Sequence, residues 1–150
     1  MDKELLQKIK ASLSTGRTEL RLIKFNFDVL PAAINGKVTI TTDDEITISR
    51  VDDSAISFEI TREIKVDPVS LFSIKATCFM KKYLGADANQ LPSLKTLDIK
   101  QFISENLDLA NVAFSHLSYI FSSVTTSFGG TPLVTMPLAT NKVNIKVIEQ

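Results

Sequence analysis

The 150-residue chain carries 17 Lys+Arg against 17 Asp+Glu, with one His, one Cys and no Trp. That length suits a single domain spanning 1–150, large enough to bury about 68–70% of its unfolded surface. Zero net charge excludes a general nucleic-acid binder, which needs a basic surface to release counterions. One Cys excludes a disulfide framework or thiolate zinc cage, and one His excludes a multi-histidine metal site within one chain, so no metal or cofactor is expected. Met1-Asp2-Lys3-Glu4 leads into a charged segment without an apolar signal core, which predicts a cytoplasmic protein.

The charge is unevenly spread. Residues 1–108 hold 31 of the 34 charged side chains, and the 33 residues from Leu109 to Asn141 hold none. Asn111, Ser115, His116, Ser118, Ser122 and Ser123 interrupt this run, whereas a membrane span needs about 20 mostly apolar residues. No membrane insertion is expected. A charge-free segment of this kind crosses a core or lies in a subunit interface.

Leu5, Leu6, Ile9 and Leu13 stand at helical spacing and predict an amphipathic N-terminal segment over 1–14, stopped at Ser14-Thr15-Gly16. From Leu22 the period becomes two: Ile23, Phe25, Phe27 and Val29 share one side of a strand that ends at Pro31. Asn35-Gly36 predicts a turn, and Val38 and Ile40 a second strand. Asp43-Asp44-Glu45 reads as a break before Ile46 and Ile48, and Asp52-Asp53 as the next turn. Over 56–66, Ile56, Phe58, Ile60, Ile64 and Val66 alternate with polar residues, and Arg62 is the one polar residue on the apolar side. Asp67-Pro68 turns the chain into a return strand with Phe72, Ile74, Ala76 and Cys78 on one face. The region 20–84 is thus an antiparallel meander of about four strands.

A helical part follows over 94–128. Leu94, Leu97, Ile99, Phe102 and Ile103 predict a short helix. A long helix runs from about Asp108 to Ser127, closed by Gly129-Gly130. Its apolar stripe includes Leu117, Phe121 and Val124, while Ser115, Ser118, Ser122 and Thr126 offer a side of small polar residues. The tail 129–150 is extended, with Thr131-Pro132, Met136-Pro137 and a possible last strand through Val143, Ile145 and Val147. The class is α+β: a four-stranded antiparallel sheet with helices packed on one side.

Nothing here has the pattern of an enzyme. His116 on a helix beside Ser115 lacks the third group and oxyanion hole of a triad, and adjacent helical residues point apart. Cys78 in an alternating strand is a small apolar residue rather than a nucleophile. The acidic clusters lack the ligand spacing of a calcium loop, and Gly129-Gly130-Thr131 lacks the Gly-Lys-Ser/Thr ending of a phosphate loop. Lys81-Lys82 reads as solvated. What remains is apolar surface, nine Phe and two Tyr spread over strands and helices. The helical part cannot cover both sheet faces. Oligomerisation or a groove for an apolar partner resolves the excess.

The order of these segments over roughly residues 20–138 resembles the SecB family of protein-export chaperones. The resemblance is carried by the hairpin ending in Leu71-Phe72-Ser73-Ile74, by the long helix from Asn106 to Phe128, and by the segment from Gly129 to Pro137 with its two glycines and two prolines. It implies a dimer of dimers, a homotetramer, acting as an ATP-independent holdase that wraps unfolded chains in apolar grooves. It places Phe72, Ile74, Ala76 and Cys78 in a strand used for subunit packing, with Leu117, Phe121 and Val124 at the sheet and tetramer seam. Phe25 and Phe27, with Leu133, Met136 and Leu138, are its peptide-binding candidates, Met and Phe being surfaces that adapt to many partners. Export members are strongly acidic with an acidic tail that engages the SecA motor. This chain is neutral and ends Asn141-Lys142-Val143-Asn144-Ile145-Lys146-Val147-Ile148-Glu149-Gln150. Its expected partners are therefore non-native polypeptides, with either a SecA-type motor or a dedicated client such as an antitoxin beyond them. The alternative is a non-chaperone binding or structural module devoted to one protein partner or apolar ligand.

Overall fold

The structure, a computed structural model, describes residues 2–29, 39–67, 72–129, 134–140 and 142–148. Helix α1 (Lys3–Thr15) starts at Asp2, whose carboxylate accepts from the Glu4 N–H at 2.8 Å. It buries Ile9, Ser12 and Leu13. Gly16 ends it where the chain passes so close to the end of the sheet that a Cβ would sit on the Tyr83 carbonyl oxygen.

The strands are β1 (Thr18–Val29), β2 (Thr39–Val51), β3 (Ala55–Asp67), β4 (Phe72–Tyr83) and β5 (Asn144–Val147), in the spatial order β1-β4-β3-β2-β5. The first four pair antiparallel. The fifth runs parallel to β2, with Glu45 opposite Asn144 and Ile48 opposite Val147. The sheet is therefore five-stranded and mixed, which corrects the expected four-stranded antiparallel one. The alternation of Ile145 and Val147 is that of a true sheet strand, made at the free edge of β2, with Val143 just before it.

Two further expectations change. Asp43-Asp44-Glu45 does not break a strand; it lies within β2, in register with Glu63, Arg62 and Thr61. In β1 a bulge between Leu22 and Lys24 shifts the pairing, so that Leu22 opposes Cys78 and Phe25 opposes Ala76. Leu20, Leu22, Phe25 and Phe27 consequently share one face, and Ile23 is the extra residue. The turns expected at Asn35-Gly36 and Asp67-Pro68, and Gly130 after the long helix, lie outside the fully described residues.

The helices cover the sheet face that carries Ile46, Ile60, Ile74 and Cys78. After 3-10 turns at Ala88–Gln90 and Leu94–Thr96 come the short α2 (Ile99–Glu105), a 3-10 turn (Leu107–Ala110) and α3 (Asn111–Gly129). The long helix thus begins as a tighter turn, with Asn106 rather than Asp108 at its head. Ala113, Phe114, Leu117 and Phe121 of α3 join Ile9 and Leu13 of α1 in one core over β2, β3 and β4. Burying each such side chain is worth roughly 1.5–3 kcal/mol. Ser12 ties α1 to the chain beyond β4: its hydroxyl donates to Asp87 at 2.5 Å and accepts from the Gly85 N–H at 2.8 Å. Lys82, expected in solvent, points to the helix side instead. It is buried, with Nζ donating to Thr18 Oγ1 at 3.1 Å and the Leu13 carbonyl at 3.5 Å. Burial lowers its pKa, opposed by the Asp108 carboxylate.

The other sheet face is polar. Lys65 bridges Asp43 at 3.1 Å and Glu63 at 3.5 Å, Lys75 reaches Glu63 at 3.6 Å, and Lys146 of β5 reaches Glu45 at 3.2 Å. Thr61 and Thr77 share a hydroxyl hydrogen bond of 2.8 Å. One side of the sheet is thus built for water and the other for apolar cover.

Candidate functional site

One row of cross-strand neighbours organises the helix-covered face: Phe25 on β1, Ala76 on β4, Arg62 on β3 and Asp44 on β2. At its inner end Arg62 is completely buried, and its side chain pairs with that of Asp44 through Nε–Oδ1 at 2.8 Å and Nη2–Oδ2 at 2.9 Å. A guanidinium has five N–H donors. The other three go to the segment 134–140: Nη1 donates to Thr135 Oγ1 at 3.1 Å and to the Met136 carbonyl, and Nη2 to the Leu138 carbonyl at 2.7 Å. Asp44 Oδ2 also accepts from the Thr140 N–H at 2.9 Å. The guanidinium carbon lies 5.0 Å from the centre of the Phe114 ring. Every charged hydrogen-bonding group of this pair is satisfied, the condition under which a buried ion pair is tolerated.

The small polar side of α3 grips the same segment from above. Ser118 Oγ donates to the Thr135 carbonyl at 2.7 Å, and Ser115 Oγ to the Pro137 carbonyl at 3.1 Å. Carbonyls of successive residues alternate between Arg62 and the serines. With Thr135 turned inward, Val134, Met136 and Leu138 face outward, 76%, 61% and 45% exposed. The segment is a backbone-anchored strap with an apolar outer side.

At its outer end the row is uncovered. Phe25 is 36% exposed and Leu22 41%, with Ile23 beside them. Phe27 is half-buried against Phe72, ring centres 6.4 Å apart. No described strand pairs with the outer edge of β1. An uncovered apolar edge strand is a template for another chain. On its outer side α3 exposes Val112 and Tyr119.

Of the five peptide-binding candidates, Phe25 and Phe27 lie at the open end of the sheet and Met136 and Leu138 on the outer side of the strap; Leu133 lies outside the described residues. The interface candidates fall elsewhere. β4 is an interior strand, and Ile74, Ala76, Cys78, Leu117 and Phe121 are completely buried within the chain's own core, with Phe72 and Val124 half-buried. The five buried side chains present no surface to a second copy, because the helices of the same chain already cover them. Burial pushes the Cys78 thiol up to about 11, so it is protonated at neutral pH. His116 is half-buried on α3. No cluster of three or more His, Cys, Asp or Glu able to hold a metal occurs among the described residues, and none of their helices is long and apolar enough to cross a membrane.

Sequence reasoning missed Arg62–Asp44 as a pair, and Leu22 and Val134 as exposed sites. A signal for the first existed: Asp44 stands two residues before Ile46 and four before Ile48, on the inward phase, and Arg62 holds the same phase in its strand. Two inward charges of opposite sign on neighbouring strands are a pairing signal.

No family model and no curated protein sequence matches the chain. Among solved structures, it is similar to the Mycobacterium tuberculosis SecB-like chaperone Rv1957, solved in complex with a ChAD peptide from the Rv1956 HigA1 antitoxin. The TM-score is 0.63 at 14% identity, covering 92% of this chain and all of that one. The chain has the fold of a SecB-like chaperone. A Streptococcus agalactiae protein of unknown function is similar at TM-score 0.46 and 11% identity, over 81% of this chain and 98% of that one.

Proposed function

We propose that the chain is an ATP-independent holdase that binds exposed apolar segments of non-native polypeptides in extended form. The observation that carries this reading is the uncovered apolar row at the β1 end of an otherwise covered sheet face. A monomeric surface seldom leaves large contiguous apolar area without a partner. A client laid along β1 gains apolar burial at about 25 cal/mol per Å² and backbone pairing at a free sheet edge. The ordering of the client opposes both gains. The strap adds Val134, Met136 and Leu138 as a second apolar row. The SecB-like neighbour, bound to a peptide from an antitoxin, supports a polypeptide ligand and favours a dedicated client over a SecA-type motor in export.

On this reading the protein is not an enzyme, needs no cofactor and works in the cytoplasm as a homotetramer. Its subunits meet through β1 and the exposed uncharged side of α3, not through the buried side chains of β4. Aggregation of a denatured model protein, followed by light scattering, tests the function: suppression at a stoichiometric amount of chain is expected, and no suppression at any ratio refutes it.

A further inference from the structure

A second concavity lies at the far end of the sheet from the β1 row, built from none of the residues assigned to unfolded clients. The segment from Leu94 to Asp98 contributes to two depressions that share Leu97. One, of about 270 Å³, is lined by Ile48, Leu94, Leu97, Ile99, Val147 and Ile148. The other, of about 280 Å³, has Leu6, Leu97 and Phe102 as its apolar lining. Each falls just below the roughly 300 Å³ at which small-ligand pockets begin, a size for one or two side chains rather than a compact cofactor.

Their borders are oppositely charged. Arg50 and Lys95 flank the first depression, and Asp98 and Glu105 the second. Arg50 is held by Asp52 at 2.8 Å, but Lys95 has no ion pair among the described residues. Asp98 Oδ1 accepts from the Gln101 N–H at 3.3 Å and Glu105 Oε1 from Gln101 Nε2 at 3.0 Å, and neither meets a cation among those residues. A fatty-acid-like ligand complements Lys95 alone and sets its apolar tail toward two carboxylates. An extended peptide complements both ends. Its alternate side chains, about 6.6 Å apart at 3.3 Å per residue, can seat on either side of Leu97.

We infer that this groove binds a short extended segment of a partner protein in which two apolar residues stand between an acidic and a basic residue. The acid meets Lys95, the base meets Asp98 and Glu105, and Leu97 is the ridge between the two apolar side chains. The site is separate from the one proposed for unfolded clients and can be tested separately.

The probe is fluorescein-labelled Gly-Asp-Leu-Thr-Leu-Lys-Gly, followed by anisotropy on the full chain beside versions with two Asp or two Lys. The mixed-charge peptide is expected to bind about threefold tighter than either like-charge version, the scale of an exposed ion pair. Leu97→Asp is expected to weaken it at least tenfold. Lys95→Glu, an exposed change that leaves the fold intact, is expected to reverse the preference toward the two-Lys peptide. Equal affinity for all three peptides, or no response to Lys95→Glu, overturns the assignment. So does Lys95-dependent binding of dodecanoate that excludes the peptide while being tighter than it. Aggregation suppression read in parallel separates the two sites: Phe25→Asp should abolish it without touching peptide binding, and Lys95→Glu should switch the peptide preference without touching suppression. A protein that binds the peptide but suppresses no aggregation keeps the groove and loses the holdase.

Discussion

The two ends of one cross-strand row meet opposite fates. Phe25, Ala76, Arg62 and Asp44 stand side by side on four strands, facing the same way. Arg62 and Asp44, the charged members, are buried, while Phe25, the aromatic one, is 36% exposed. Residue type alone orders them the other way round. The difference lies in cover. α3 lies over β4 and β3 and the strap over β3 and β2, and there the backbone of residues 135–140 supplies polar partners that make a buried charge tolerable. No described element lies over β1 to the same extent. Burial thus follows the placement of helix and strap, and the apolar residues left at the margin become the surface available for a partner.

That contrast can be broken from either end. The largest effect is expected at the core beneath α3. Ile74→Asp puts a charge where there is neither water nor a counterion and should cost more than about 4 kcal/mol, loss of the fold rather than clean dissociation of an oligomer. Circular dichroism distinguishes the two, and a folded variant of reduced mass would reinstate this strand as a subunit seam.

Arg62→Ala comes next, with an expected loss of about 3–5 kcal/mol in urea unfolding, because Asp44 is left buried and the strap loses its anchor. The Arg62→Met, Asp44→Leu double variant should cost less than Arg62→Ala alone, since it removes the stranded charge. If the double variant is the worse of the two, the strap contacts matter more than the ion pair. Ser118→Ala removes one strap hydrogen bond and should cost about 1 kcal/mol. Faster proteolysis between 134 and 140 would accompany it. At the open end, Phe25→Asp should cost about 1 kcal/mol, the partial apolar burial that this ring gives up. Its loss of aggregation suppression would show that the two ends divide stability from binding.

Much of the fold was legible because it depends on periodicity. The alternation through Ile56, Phe58, Ile60 and Ile64, the helical spacing of Leu5, Ile9 and Leu13, and the charge-free run containing α3 each predict an element that is there. The errors share one cause. Asp43-Asp44-Glu45 reads as a turn if each residue is scored by its own preference, yet β2 runs through it because Arg62 on the neighbouring strand supplies the counter-charge. Lys82 reads as solvated beside Lys81, but in a strand adjacent residues face opposite sides, and Lys82 takes the inward one. Ile74, Ala76 and Cys78 match a subunit seam only through the resemblance, while their own chain buries them. Of the site, Phe25, Met136 and Leu138 follow from the family resemblance; their exposure requires the bulge in β1 and the carbonyl anchoring of the strap.

The sequence by itself determined the charge balance met at the outset and the periodicities that make strands and helices, because both are local properties of the chain. Only the tertiary structure decided where the charges cancel. Some of the opposite charges neutralise one another across the polar sheet face, and one pair is buried, holding a strap. It also decided which apolar residues stay uncovered. Both depend on contacts between residues far apart in the chain: Asp44 and Thr140, separated by 96 positions, meet at 2.9 Å. No local pattern encodes such a meeting.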